Sequence, residues 1–352
     1  MCIGTRPVIP LHPPLFRSIP MIDFFRRNNS FHIPVLVLLA LVLKIGYLGK
    51  KTDHLRAIQE KAGGLLNPFL FKNFSQSLHP YFVNSLALVL LLLSAVTLNQ
   101  VLVSRRMFQR SHILTGLSLL IFTAIFPVGF ELHAGVVLLP VSILLYQQMT
   151  SLQNAQTPLA VITNIGLICG TASILYHPFW WMLPCSLVIL AQIRAFRWNE
   201  WILMILTFFI PYYFILAYQF LTDQWHPYSL VPVWDTNWVL TVPTPEWIIG
   251  ISIAIFWVGF GFLKWQSVNS RMLIQARKNW YILFTIMLFT APSLFYPDGN
   301  AAEGLFLISI ATAPFASHTF SEGKKKWPAN LLLILLLITA GFMVWTVLGG
   351  NF

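Results

Sequence analysis

Long apolar segments separated by short polar ones dominate the pattern of this chain. About eleven of them are predicted to be membrane spans, since the hydrocarbon core of a bilayer takes about 17 to 25 apolar residues of helix; the fourth and sixth are short, and a tilted or partly re-entrant segment is the alternative there. They lie at about residues 31–49, 81–103, 112–130, 134–149, 158–176, 178–193, 201–221, 247–264, 280–297, 302–319 and 328–348. The pattern predicts an all-α fold, a polytopic membrane helix bundle of about 11 transmembrane helices (range about 9 to 12).

Composition supports lipid as the solvent for much of this chain. Only 9% of the residues are charged, against about 25% in a soluble domain, so a water-soluble surface cannot be covered. The net charge of +11 comes from basic residues that fall between apolar segments. Such residues orient a membrane protein, and we therefore predict no nucleic-acid partner. The cysteines, Cys2, Cys169 and Cys185, have no metal-site or disulfide spacing.

One transmembrane domain is predicted, because no composition change divides the chain after its first residues. Residues 1–20 are proline-rich and precede Met21, which opens a more natural start. They are interpreted as a disordered tail or an over-extended start. Residues 21–352 form the single transmembrane domain, with outer loops at about 50–80 and 222–246.

A cytoplasmic N-terminus is predicted from the distribution of charge between the loops. This orientation places a set of basic residues on the cytoplasmic side: Arg26, Arg27, Arg105, Arg106, Arg110, Arg194, Arg197, Arg271, Arg277, Lys278, Lys324, Lys325 and Lys326. It places the acids outside: Asp53, Glu60, Glu131, Asp223, Asp235, Glu246, Asp298 and Glu303. The first outer loop breaks the pattern because it also carries lysines and an arginine, but long loops follow the rule less strictly.

The sequence RAFRWNEW, from Arg194 to Trp201, marks a predicted membrane face. Arg194 and Arg197 are three residues apart, so on a continuing helix they face the same way, toward anionic headgroups. Glu200 is three residues beyond Arg197 and is predicted to pair with it. Both arginines are therefore candidates for binding substrate or lipid phosphate.

The first outer loop holds the candidate catalytic residues. In DHLRAIQEKAGGLLNPFLF, Asp53 and Glu60 are seven residues apart and share a face if the segment is helical. Such a carboxylate can deprotonate an acceptor hydroxyl, while Arg56 and Lys61 beside it can hold a phosphate. The alternative interpretation is a solvated amphipathic helix with ion pairs between neighbouring turns. A break is expected at Gly63-Gly64.

Several segments resemble a known group of proteins: MIDFF from Met21, RAFRWNEW with the span after it, ATAPFASHTF, and GKKKWPANLLLILLL. Together they resemble an uncharacterised, domain-of-unknown-function family of polytopic inner-membrane proteins of Bacteroidota, over nearly the whole length from Met21. The resemblance implies a multi-pass protein of the bacterial inner (cytoplasmic) membrane. It implies no activity.

Function is predicted mainly from how few polar residues the spans contain. No nucleotide-binding, hydrolase or metal-site motif occurs, so we predict no cofactor and no metal. The first prediction is a structural or accessory component of the cell envelope. The alternatives are a lipid-linked sugar transferase similar to the GT-C class, and a transporter; whether the chain is an enzyme stays open. The predicted partners are the bilayer and its anionic headgroups, with a polyprenyl-phosphate lipid or an envelope complex as alternatives.

Overall fold

The structure, a computed structural model, describes residues 25, 32–44, 64, 78–108, 112–126, 132–223, 245–295, 301–321 and 327–349. These residues form α-helices, short 3-10 segments and turns, without a β-strand in the ranges given. The helices, in chain order, are α1 (His32–Lys44), α2 (Pro80–Ser104), α3 (Leu114–Ile125), α4 (Ala134–Ser151), α5 (Pro158–Leu175), α6 (Met182–Ile193), α7 (Trp198–Leu221), α8 (Pro245–Asn269), α9 (Ile274–Thr290), α10 (Ala301–Ser321) and α11 (Trp327–Gly349). The predicted all-α fold is confirmed.

Five helical stretches of the described chain are long and apolar enough to cross a membrane: Pro80–Ser104, Ala134–Asn154, Pro158–Leu175, Trp198–Leu221 and Ile248–Asn269. The other helices contribute shorter apolar stretches. The chain is therefore a multi-pass helical membrane protein. The number of crossings and the side on which the N-terminus lies stay predictions.

Hydrogen bonding within each helix explains how its prolines and hydroxyl-bearing side chains fit an apolar environment. Pro80 and Pro158 stand at the starts of α2 and α5, where a missing N–H costs no helical hydrogen bond. Hydroxyl groups within the helices donate back to the preceding turn, as Ser94 does to the carbonyl of Leu90 at 2.7 Å. This arrangement satisfies the hydroxyl group within its own helix, so that lipid or apolar neighbours can surround it.

The helices α3 and α10 form the centre of the bundle. Every residue of α3 is buried, and α10 packs against α3, α4, α8 and α9. In contrast, α7 exposes a row of large apolar side chains, among them Leu206, Tyr213 and Phe220. A broad apolar surface of this kind is what a lipid-facing helix presents.

Small residues bring α5 and α7 into backbone contact. Gly166 and Gly170 are four residues apart on α5, and a Cβ added at either would overlap α7, at Thr207 or at the carbonyl of Phe208. This is the small-xxx-small arrangement by which membrane helices approach closely. Gly261 of α8 meets the carbonyl of Phe315 on α10 in the same way. The bundle is thus tightly packed at these crossings.

Candidate functional site

Several inter-helix contacts place the arginine-bearing connections at one end of the bundle. Arg105, after α2, donates through Nη2 to the carbonyl of Gln147 on α4 at 3.4 Å. Gln153, after α4, donates to Asn279 Oδ1 on α9 at 2.7 Å. We call this the basic end, since the connections there carry Arg105 and Arg106, Arg194 and Arg197, and Arg271. It corresponds to the side that the sequence predicts to be cytoplasmic.

Two buried histidines meet around one aromatic ring just inside the basic end. His112 lies two residues before the start of α3, and its ring centroid lies 4.4 Å from that of Phe108. His318 lies in the last turn of α10, with its ring 5.1 Å from Phe108 and 4.8 Å from Trp280. Phe108 therefore joins the two imidazoles, although they are 206 residues apart in sequence (318 − 112).

Lys264 of α8 adds a positive charge beside the histidines. Its ammonium donates to the carbonyl oxygen of Thr319 at 3.0 Å, one residue beyond His318. Trp257, two turns before Lys264 on the same face of α8, donates through Nε1 to Thr319 Oγ1 at 3.1 Å. We call His112, Lys264 and His318 the interior cluster.

A frame of hydrogen bonds holds the segment that carries Phe108. Trp280 of α9 donates through Nε1 to the carbonyl of Met107 at 3.3 Å, and Tyr146 of α4 donates to the sulfur of Met107 at 2.9 Å. The hydroxyl groups of Thr115 and Ser317 are 3.4 Å apart and connect α3 to α10. The segment that carries Phe108 is thereby tied to α4 and α9, and α3 is tied to α10.

The interior cluster combines one cation with two rings that each donate and accept hydrogen bonds. His112 and His318 are 5% and 1% exposed, and the burial of such groups in a membrane bundle is costly. Ionisable and imidazole groups within membrane helices usually lie on a substrate, ion or proton path. The arrangement suits an anionic or hydrogen-bonding solute.

The interior cluster is not predictable from the sequence. Its three members are far apart in the chain and form no short metal-site or catalytic spacing. The predicted orientation does place the chain segments around residues 112, 264 and 318 on the same, cytoplasmic side of the membrane, and this is the sequence feature that points to the cluster. Within the described residues, no group of three His, Cys, Asp or Glu side chains is arranged to hold a metal ion.

The predicted catalytic residues Asp53 and Glu60, and the predicted phosphate ligands Arg56 and Lys61, lie outside the described residues. Gly64, close behind them, is described. It has a φ of +116°, which glycine adopts readily, and a Cβ there would lie 2.5 Å from the carbonyl oxygen of Leu175. Gly64 therefore packs on the end of α5, opposite the basic end.

The predicted pairing within RAFRWNEW is wrong. Helix α6 ends at Ile193, and both Arg194 and Arg197 have extended backbones, so the helical spacing that would align them does not apply. Glu200, in the first turn of α7, pairs instead with Arg194, whose Nε lies 3.1 Å from the carboxylate. Their side chains are 23% and 4% exposed. Whether either arginine binds substrate or lipid phosphate stays a prediction.

The comparisons with known proteins give one weak similarity. Over 195 aligned residues the chain is 22% identical to ADP,ATP carrier protein 4 of Rickettsia bellii. The match covers 49% of this chain and 35% of the carrier, so the chain spans about a third of that relative's length. No protein family and no solved structure matches the chain. The resemblance to the Bacteroidota family therefore stays a prediction.

Proposed function

We propose that this chain is a membrane transporter and that the interior cluster is part of its solute path. The observation that carries the proposal is the pair of buried histidines, His112 and His318, which both contact Phe108, with the half-buried Lys264 bonded to the carbonyl of Thr319 next to His318. Alternating access moves groups of helices against one another around a site between them. Residues contributed by α8, α10 and the segment before α3 would be brought together and separated by such a motion.

A purely structural bundle has less need of these groups. Apolar side chains at the three positions would fill the same space without the cost of removing imidazole and ammonium groups from water. The structural or accessory role predicted from sequence relied on the scarcity of polar groups inside the spans. The interior cluster weakens that premise, and the accessory role stays a prediction.

The described arrangement corresponds to a closed path at the basic end. Trp280 packs against His318 and Phe315, with ring centroids 4.8 and 5.0 Å apart, and Trp265 packs against both Trp280 and Phe315. On this proposal, these rings separate when solute reaches the cluster from the basic end. A transporter passes through closed states of this kind between its two open ones.

Phosphate-bearing anions are the proposed solute class. A lysine and imidazole hydrogen bonds suit phosphate oxygens, and the flanking Trp280 and Phe108 offer flat faces to a planar ring. The relative's name adds adenine nucleotides as the first compounds to test. This is a proposal for the present chain, which matches only part of that carrier.

Uptake by proteoliposomes tests the proposal. The full chain would be reconstituted and supplied with labelled ATP, ADP or inorganic phosphate outside, with empty liposomes as background. We expect saturable uptake of at least one compound, and a loss of about tenfold or more in His318→Gln and Lys264→Met, equivalent to about 1.4 kcal/mol or more. His79→Gln is the matched control, because His79 is exposed at the start of α2, away from the cluster.

Thermal unfolding of each variant separates a lost site from a lost fold. The proposal holds if His318→Gln unfolds near the wild-type temperature and transports poorly. It is wrong if none of the three compounds is taken up above background, or if the cluster variants transport as well as His79→Gln.

A sugar transferase remains the second candidate because of Gly64. Its packing on Leu175 puts this one residue of the first long loop against the bundle, at the end opposite the basic end. Glycosyl transfer from a lipid-linked substrate in the outer leaflet would need acids such as Asp53 and Glu60 on that side. The specific test of this candidate is the substitution of Asp53.

A further inference from the structure

A groove between α6 and α9 opens at the basic end, separate from the interior cluster. It has a volume of about 510 Å³ and is lined by residues of both helices. Its α9 wall contains Arg277, Tyr281 and Thr285, which are spaced four residues apart and therefore follow one face of the helix. The wall on α6 is formed by Gln192 and Ile193.

The mouth of the groove is cationic. Arg277 uses Nη2 to donate to the carbonyls of Ser270 and Met272, at 3.3 and 3.4 Å, which fixes the guanidinium over the α8–α9 turn. Its buried Nε meets no hydrogen-bond acceptor in the described part of the chain. Lys278, the next residue, is exposed and also lines the groove. An oxyanion at the mouth would satisfy both side chains.

The groove becomes less polar with depth. Tyr281 lies about 6 Å deeper than Arg277 along the helix axis, and its hydroxyl accepts from Asn269 Nδ2 at 3.2 Å, leaving its own proton to donate. Deeper still, Gln192 donates to Thr285 at 2.9 Å and joins α6 to α9. Because these two groups satisfy one another, the remaining inner wall, which includes Ile193 and Phe284, is apolar.

We propose that this groove binds an anionic phospholipid. The phosphate lies between Arg277 and Lys278, a glycerol-ester oxygen accepts from the Tyr281 hydroxyl, and one acyl chain runs along Ile193 and Phe284. A cationic mouth above an apolar floor matches the order of chemical groups in a phospholipid. Basic pockets between membrane helices are suited to such headgroups. The site is independent of the proposed transport function.

Lipid binding to the purified full chain tests the proposal. Native mass spectrometry would titrate the detergent-solubilised protein with phosphatidylglycerol or phosphatidylcholine of equal chain length. We expect selective binding of phosphatidylglycerol, weakened at least about tenfold in Arg277→Gln/Lys278→Gln, since each basic residue near a membrane surface contributes about 1 kcal/mol. Arg106→Gln/Arg271→Gln is the control, because it removes the same charge from exposed positions that do not line the groove.

A second variant leaves the charges in place. Ile193→Trp narrows the apolar part of the groove, and we expect it to weaken phosphatidylglycerol binding while the unfolding temperature stays near that of wild type. Equal binding of both lipids, or equal weakening by the control pair, would overturn the proposal. Inorganic phosphate and glycerol phosphate are then tested as competitors of phosphatidylglycerol. If either displaces the lipid with an affinity equal to that of the lipid itself, the groove binds a free anion and the lipid assignment is wrong.

Discussion

Gly170 of α5 lies directly against the carbonyl group of Phe208 on α7. The contact leaves no room for a Cβ, and Gly166, one turn earlier, is equally close to Thr207. Lipid supplies little hydrophobic force between helices, so close backbone packing of this kind is a main source of their association. The α5–α7 pair should therefore depend strongly on these two glycines.

Gly170→Ala is expected to destabilise the protein by about 1 to 3 kcal/mol, the usual cost of adding a methyl group to a filled interior. Unfolding in mixed micelles, followed by tryptophan fluorescence, measures the change. Gly259→Ala is the matched control, since Gly259 is a helical glycine with open space around it. There the higher helix propensity of alanine should raise stability by up to about 1 kcal/mol. Equal effects at the two positions would contradict the packing described.

The Arg194–Glu200 pair allows a second prediction. Arg194→Ala leaves the buried Glu200 carboxylate without its counter-charge and should cost about 3 kcal/mol, as the removal of one partner from a buried pair does. Arg197→Ala, at an exposed position, should change stability by less than about 0.5 kcal/mol. Both values come from the same micelle unfolding experiment.

Glu200→Gln provides the complementary test of that pair. In the Arg194→Ala background it removes the unpaired charge and should restore a large part of the lost stability. If the double variant is no more stable than Arg194→Ala, the loss does not come from an uncompensated carboxylate.

The helices were predictable because their signal is local. The span expected at 201–221 corresponds to α7, and the span at 81–103 corresponds to α2, each within a few residues of the ends found. Hydrophobic length alone carries this information, since a membrane helix satisfies its own backbone and must cover it with apolar side chains. Gly64 has the positive φ that glycine favours, but the helix break predicted at Gly63-Gly64 stays a prediction, because the residues on either side lie outside the described part of the chain.

The polar contacts were not predictable because they depend on how distant helices meet. Phe108 joins His112 to His318 only after α3 and α10 have packed together at the centre of the bundle. The pairing of Glu200 with Arg194 rather than Arg197 depends on where α6 ends, and the sequence there does not mark the end with glycine or proline. Spacing rules derived for a continuous helix fail at such a point.

Cysteine labelling tests the predicted orientation. In a background lacking Cys2, Cys169 and Cys185, single cysteines at Ser111 and Ser270 should be protected from a membrane-impermeant reagent in cells with a permeabilised outer membrane. Cysteines at Thr236 and Asn300 should react, because the positive-inside rule places them outside. Reversal of both pairs would invert the orientation, and one discordant pair would show that an apolar segment does not cross the membrane.

Asp53→Asn distinguishes the sugar-transferase candidate from the others. Asp53 follows the first predicted span closely, and His54, Lys51 and Arg56 beside it favour the ionised carboxylate that a general base requires. The substitution removes that charge with little change in size, so an enzyme should lose its activity while the amount of protein in the membrane stays normal. Glu60→Gln should have the same or a smaller effect. The measurement is complementation of a deletion strain by each variant, with the abundance of the variant in the membrane measured in parallel.

If Asp53→Asn complements the deletion fully, catalysis by an acid of the first loop is ruled out. If the chain is a transporter whose path includes His112 and His318, Asp53→Asn should complement the deletion and His318→Gln should not.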